Sequence, residues 1–165
     1  MPRPCQGPAV EDAQHLKVAG FTEDELATVY RTVVCPVLDY CAVVYHPMLT
    51  NEQDQLVERL QACALKNIYG YELSYAAMRD RAGVTTHRDR RIALCDKFAQ
   101  KAAANPLFAR WFPLRMGRSG RHAENYEEFP ARTDRLFNTP LYYFCRRLNG
   151  KPGKQYGMRN RKYRE

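Results

Sequence analysis

The six cysteines of this chain include no C-x-x-C pair; Cys5, Cys35, Cys41, Cys63, Cys95 and Cys145 are scattered along it. None of His15, His46, His87 and His122 stands at metal-ligand spacing beside them, which argues against a zinc site. A chain of 165 residues can bury a core without disulfides, so the cysteines are expected to be reduced and packed as small hydrophobes. That usage points to an intracellular protein. The opening MPRPCQGPAVEDAQ has no apolar run, so no signal peptide is expected. A Gly-rich phosphate loop and a G-x-S-x-G elbow are both missing.

Further absences bear on catalysis. The acidic pairs Asp24-Glu25 and Glu127-Glu128 fall at a helix start and in a loop, and read as solvated charge. Cys95 lies eight residues after His87, about 12 Å along a helix axis, too far for a nucleophile and its base. His46 reads as a structural hydrogen-bonding group at a helix end. No catalytic residue, metal ligand or cofactor is expected. No stretch alternates with period two for long enough to build a sheet, and no internal repeat is present.

The segment VYRTVVCPVLDYCAVVYHP (29–47) is apolar nearly throughout. A membrane span needs about 20 apolar residues with few charges, and Arg31, Pro36 and Asp39 interrupt this one; it reads instead as core helix. Thr22 and Glu25 have capping-box spacing, so a helix is expected over about 23–34. Pro36 should break it within 34–37, because proline lacks the amide donor and clashes with the preceding turn. A second segment is expected over about 37–46.

LTNEQDQLVERLQACALKNIYG reads as a long helix with Leu56, Leu60, Cys63, Ala64 and Ile68 on its inner stripe and Gly70 as its stop. SYAAMRDRAG is a short helix between Ser74 and Gly83. TTHRDRRIALCDKFAQKAAANP is a second long one, started by Thr86 and Asp89 and ended by Pro106. Its expected inner face carries Ile92, Cys95, Phe98, Ala99 and Ala102. LFARWFP is a compact aromatic segment, and PLYYFCRRLN a short helix with Pro140 as its first residue.

The expected fold is therefore all-α: an irregular bundle of five or six helices with a basic, partly disordered C-terminal tail. The expected domains are a disordered 1–14, a helical body over 15–113, a loop or disordered linker over 114–139, and a short helix with basic tail over 140–165.

Charge is unevenly placed. Residues 1–108 hold 12 Lys/Arg and 13 Asp/Glu, whereas residues 109–165 hold 14 and 5. A near-neutral body with a tail of net charge +9 points to an anionic partner. Candidate phosphate contacts are Arg88, Arg91 and Lys97 on the later long helix, then Arg146, Arg147 and Lys151, then Lys154, Arg159, Arg161 and Lys162. Tyr143 and Tyr156 are candidate rings for base stacking. Interleaved cations and aromatics suit RNA or single-stranded DNA.

The run HLKVAGFTEDELATVYRTVVCPVLDYCAVVYHPMLTNEQDQLVERLQACALKNIYG resembles the region that comes after the polymerase core in reverse transcriptases of non-LTR (LINE-type, jockey-like) retrotransposons. The resemblance continues through AGVTTHRDRRIALCDKFAQKAAANPLFARWFP and resumes at RTDRLFNTPLYYFCRRLN, covering about residues 15–150. It implies a thumb-like helical portion of an RNA-directed DNA polymerase. The family's metal-binding Tyr/Phe-Ala-Asp-Asp turn would lie before residue 15 and is missing, so the resemblance implies a part without polymerase chemistry. Three departures stand out: Cys35 replaces the usual arginine, Tyr45 the usual tryptophan, and Gln61-Ala62-Cys63-Ala64 the usual Gln-Lys-Arg-Ala, so basic positions are lost.

Three readings of function are open. The first is a non-catalytic fragment or remnant of such a polymerase, with weak, sequence-independent nucleic-acid binding. The second is a helical protein-interaction module whose exposed apolar face meets the absent polymerase core or another protein. The third is a translated remnant without selected function. None involves a membrane.

Overall fold

A computed structural model describes residues 15–114, 126–128, 131 and 133–151. The expectations placed on 1–14 and on the basic residues 152–165 lie outside the described residues. The fold is all-α. Among the described residues eight α-helices are joined by short 3-10 and π turns, and the β-type pairing there is the isolated bridge between Leu114 and Tyr126. The chain divides into two compact units, Met1–Tyr40 with Glu52–Arg90, and Cys41–Asn51 with Arg91–Glu165. Each unit draws on two separated segments of the chain.

In the first unit, α1 (Glu23–Val29) starts at a reciprocal capping box between Thr22 and Glu25. The chain does not break at Pro36. It widens into a π turn over Tyr30–Val34, in which the Cys35 amide donates to the Tyr30 carbonyl, and continues as α2 (Cys35–Asp39). The correction has a local cause. A proline ring clashes with the carbonyl four residues back in a regular α-helix, and the wider π turn relieves it. Helical structure ends instead at Tyr40, before Cys41, whose φ of 55° is left-handed.

The other helices of this unit are α4 (Asn51–Tyr69) and α5 (Tyr75–Ala82), α3 belonging to the second unit. Ser74 caps α5, accepting from the Ala77 amide. Gly83 ends it at φ 63°, a conformation that favours glycine. There the Arg31 guanidinium donates to the Ala82 carbonyl at 2.8 Å, meeting one of the orphan acceptors at a helix C-terminus. Leu26, Ala27, Tyr30, Cys35, Leu65, Ile68, Met78 and Ala82 lie in the core of this unit.

The inner stripe of α4 differs from the expected one. Leu60 is 57% exposed and Leu56 is exposed too, while Asp54, Gln61, Leu65 and Ile68 are buried. Inside the unit the Gln61 amide nitrogen donates to the Thr85 carbonyl at 2.8 Å, which meets part of the cost of burying it, while its Oε1 is buried without a hydrogen-bond partner among the described residues. Cys63 also departs from expectation, since it is disulfide-bonded; Cys35, Cys41, Cys95 and Cys145 are free.

The second unit contains α3 (Ala42–Tyr45), with a 3-10 turn over His46–Met48. The long α6 (His87–Ala104) starts in the first unit and passes into the second. Beyond it come a 3-10 turn over Ala109–Trp111, then α7 (Asp134–Phe137) and α8 (Pro140–Leu148). The stretch expected as loop over 114–139 therefore contains a bridge and a short helix. Cys95, Ala99, Ala102, Phe112, Tyr143, Phe144 and Cys145 form the core here. Phe98, expected inside, is 39% exposed.

Candidate nucleic-acid interface, a buried polar network and an apolar groove

Among the described residues, the cations singled out in the sequence are engaged with other groups of the protein, Lys97 excepted. In the first unit, Arg88 donates through Nε to Asp54 Oδ2 at 2.7 Å, and Asp54 is buried. The Arg88 amide, in the first turn of α6, donates to Glu58 Oε1 at 2.6 Å, a carboxylate set where the helix N-terminus favours one. Glu58 also accepts from the Tyr75 hydroxyl at 3.1 Å. Burial first, and then the charge of Glu58, push the Tyr75 phenol up.

Arg91, Tyr143 and Arg146, all in the second unit, are corrections to the expected interface, because each is buried. Arg91 donates from Nε to His46 Nδ1 at 3.4 Å. The Tyr143 ring meets His46 edge-on at 5.5 Å. Arg146 lies over the Phe137 ring at 4.6 Å, a cation–π arrangement. A fully enclosed guanidinium cannot reach a phosphate, and a fully enclosed ring has no free face for a base.

Arg147 forms a two-pronged pair with Asp96, its Nε donating at 2.7 Å. Hydrogen bonding to Asp96 outweighs burial and holds the guanidinium pKa above its ordinary value. Lys151 bonds Glu128 at 2.7 Å. Burial acts to raise the Glu128 carboxyl pKa, but hydrogen bonds from Lys151 and Asn149 outweigh it and bring the value down. Lys97 is exposed on α6. Lys154, Arg159, Arg161, Lys162 and Tyr156 lie outside the described residues.

The first unit also holds a polar network that sequence reasoning missed. The Tyr30 hydroxyl lies 3.2 Å from His87 Nε2. His87 Nδ1 faces Asp39 Oδ1 at 3.8 Å, and Asp39 Oδ2 pairs with Arg90. Burial pushes the Tyr30 phenol well above its ordinary range, so the hydroxyl keeps its proton. The Tyr-His-Asp order has the look of a proton relay. His87 and Tyr30 are both buried, however, and a reacting substrate must reach the acid or base that serves it. The arrangement ties the π turn to the start of α6.

An apolar groove of about 340 Å³ lies in the second unit. Val43 and Val44 come from α3, Phe98 from α6, Trp111 and Phe112 from the aromatic segment, and Pro140, Leu141 and Phe144 from α8. Val44, Phe98 and Trp111 are exposed at its mouth. The aromatic run LFARWFP was the sequence signal for it, but residues from four elements meet there only in the fold. Among the described residues no group of three or more His, Cys, Asp or Glu side chains is placed to hold a metal ion. No single helix among them is long and apolar enough to cross a membrane.

A comparison of the chain with protein-family models, curated proteins and solved structures found no match in any of the three.

Proposed function

We propose that the chain is the helical, non-catalytic post-polymerase part of a non-LTR retrotransposon reverse transcriptase, or a remnant of one. It contacts nucleic acid weakly and without sequence preference through its C-terminal cations. The observation that carries the binding half is the pairing of the body. Arg88, Arg90, Arg147 and Lys151 each face a carboxylate, and Arg91 and Arg146 are buried. Residues 152–165 add five Lys/Arg against Glu165. The resemblance draws support from its landmarks falling at element boundaries. His46-Pro47 forms a 3-10 turn, Leu49-Thr50 precedes α4, and Asn105-Pro106 comes directly after α6.

The test is a fluorescence titration of a labelled single-stranded oligonucleotide at several salt concentrations, with the full chain and with a chain ending at residue 151. About four phosphate contacts predict a log–log salt slope near −3, at roughly −0.7 per contact. The shortened chain should bind more weakly, with a flatter slope. Equal affinity and slope for the two would remove residues 152–165 from the mechanism.

A second reading, a helical protein-interaction module, is favoured by one observation. Large apolar side chains stand exposed on helix faces, with Val33, Val37 and Tyr40 in the first unit and Val44, Phe98 and Trp111 in the second. Such faces commonly mark protein contacts.

A further inference from the structure

We propose that the apolar groove of the second unit is a docking site for the apolar face of an acidic amphipathic helix from a protein partner. This rests on the protein-interaction reading and names its site and ligand chemistry. The groove is walled by α3, α6 and α8 and closed by Trp111 and Phe112. Its volume is that of a pocket receiving a few side chains, and helix-lined apolar grooves take helices through anchors at i, i+3 or i+4, and i+7.

The lining excludes a nucleobase on chemical grounds. Apart from Thr139 every lining residue is apolar, so the polar edges of a base would lose water without finding partners. Stacking faces are also partly taken, as Phe98 packs on Phe144 at 5.3 Å and Trp111 on Phe108 at 4.9 Å. Aliphatic and aromatic side chains lose nothing in such a lining.

Charge decides which helix fits. Lys97 adjoins Phe98, Lys101 lies one turn beyond it on the same side of α6, and Arg110 adjoins Trp111; all three are exposed. Among the described residues none of these three enters an ion pair, in contrast to Arg147 and Lys151 in the same unit. The lining residues include no carboxylate. An occupant flanked by Asp and Glu gains at this rim, and one flanked by Lys and Arg is repelled.

The experiment uses the full chain and a displayed library of random 16-residue peptides, selected in parallel on the wild type and on Val44→Asp. Val44 is 54% exposed, so the substitution should leave helicity and melting unchanged while placing an unpaired charge in the groove. Enriched peptides are then titrated by emission of Trp111, the sole tryptophan. The expected result is enrichment of apolar residues at helical spacing with acidic flanks. A saturable Trp111 shift should accompany binding, with affinity at least tenfold weaker for Val44→Asp and for the Lys97→Glu/Lys101→Glu double variant. No enrichment on the wild type would overturn both this site and the protein-interaction reading. Equal enrichment on Val44→Asp would overturn the groove and leave that reading standing. Selection of basic-flanked peptides, or a Trp111 response to oligonucleotide abolished by Val44→Asp, would overturn the assigned occupant.

Discussion

The Tyr30 hydroxyl and the His87 Nε2 atom lie 3.2 Å apart, both buried, with 57 positions of sequence separating them. A buried polar group stripped of its partner costs about 1–3 kcal/mol. Tyr30→Phe removes the hydroxyl and keeps the ring, so the thermal midpoint should fall by several degrees, at about 2–4 °C per kcal/mol for a chain of this size. An unchanged midpoint would remove this bond from the stability of the first unit.

Two leucines on α4 should behave oppositely. Leu65 is fully buried and Leu60 is not. Leu65→Ala should cost about 2–5 kcal/mol, and Leu60→Ala no more than about 0.5 kcal/mol, as at other exposed sites. Denaturant unfolding of the pair measures the difference. Equal losses would mean that the helix phase is wrong.

Glu128 sets an acid limit for the second unit. Its carboxyl pKa is lower in the fold than in the unfolded chain, through Lys151 and Asn149. The contribution is therefore present above the unfolded value of about 4.3 and is lost as pH falls through the lowered folded value. Melting curves from pH 6 to pH 2 should show a weaker acid-side decline for Glu128→Gln than for the wild type. Parallel curves would count against the interaction.

Tyr30 predicts the alkaline side. Its phenol is raised in the fold by burial, so its contribution is complete below the unfolded value of about 10 and is lost as pH rises through the folded value. Difference absorbance at 295 nm should show that wild type, compared with Tyr30→Phe, gains the extra phenolate only together with loss of helicity. A phenolate appearing near pH 10 in the folded protein would contradict its burial.

The free thiols should separate by reactivity. Cys41 is exposed, while burial pushes Cys95 up to about 12 and Cys145 up to about 11, leaving little thiolate at neutral pH. Brief alkylation and then peptide mass spectrometry should show Cys41 labelled well ahead of both. Comparable labelling of Cys95 in folded protein would disprove the enclosed site.

Helix ends were readable along the chain because capping is local chemistry. Thr22 with Glu25, Ser74 with the Ala77 amide, Thr86 with the Asp89 amide, and Gly83 all act within a few residues of where they stand. The all-α class comes from the same local periodicity. Which helix face turns inward was not readable in this way. The π turn adds a residue at Tyr30–Val34 and so shifts the phase of α2, burying Tyr30 and Cys35 while Val33 and Val37 stay exposed. Gln61 and Arg91 take inner positions, where each makes a hydrogen bond to a group far off in sequence, the Thr85 carbonyl and His46. The same pairing sets Asp54 and Asp96 opposite the candidate phosphate contacts Arg88 and Arg147. Residue type and spacing determined where the helices begin and end. The tertiary structure decided which polar groups have partners, and the balance between desolvation and hydrogen bonding then placed each side chain inside or out.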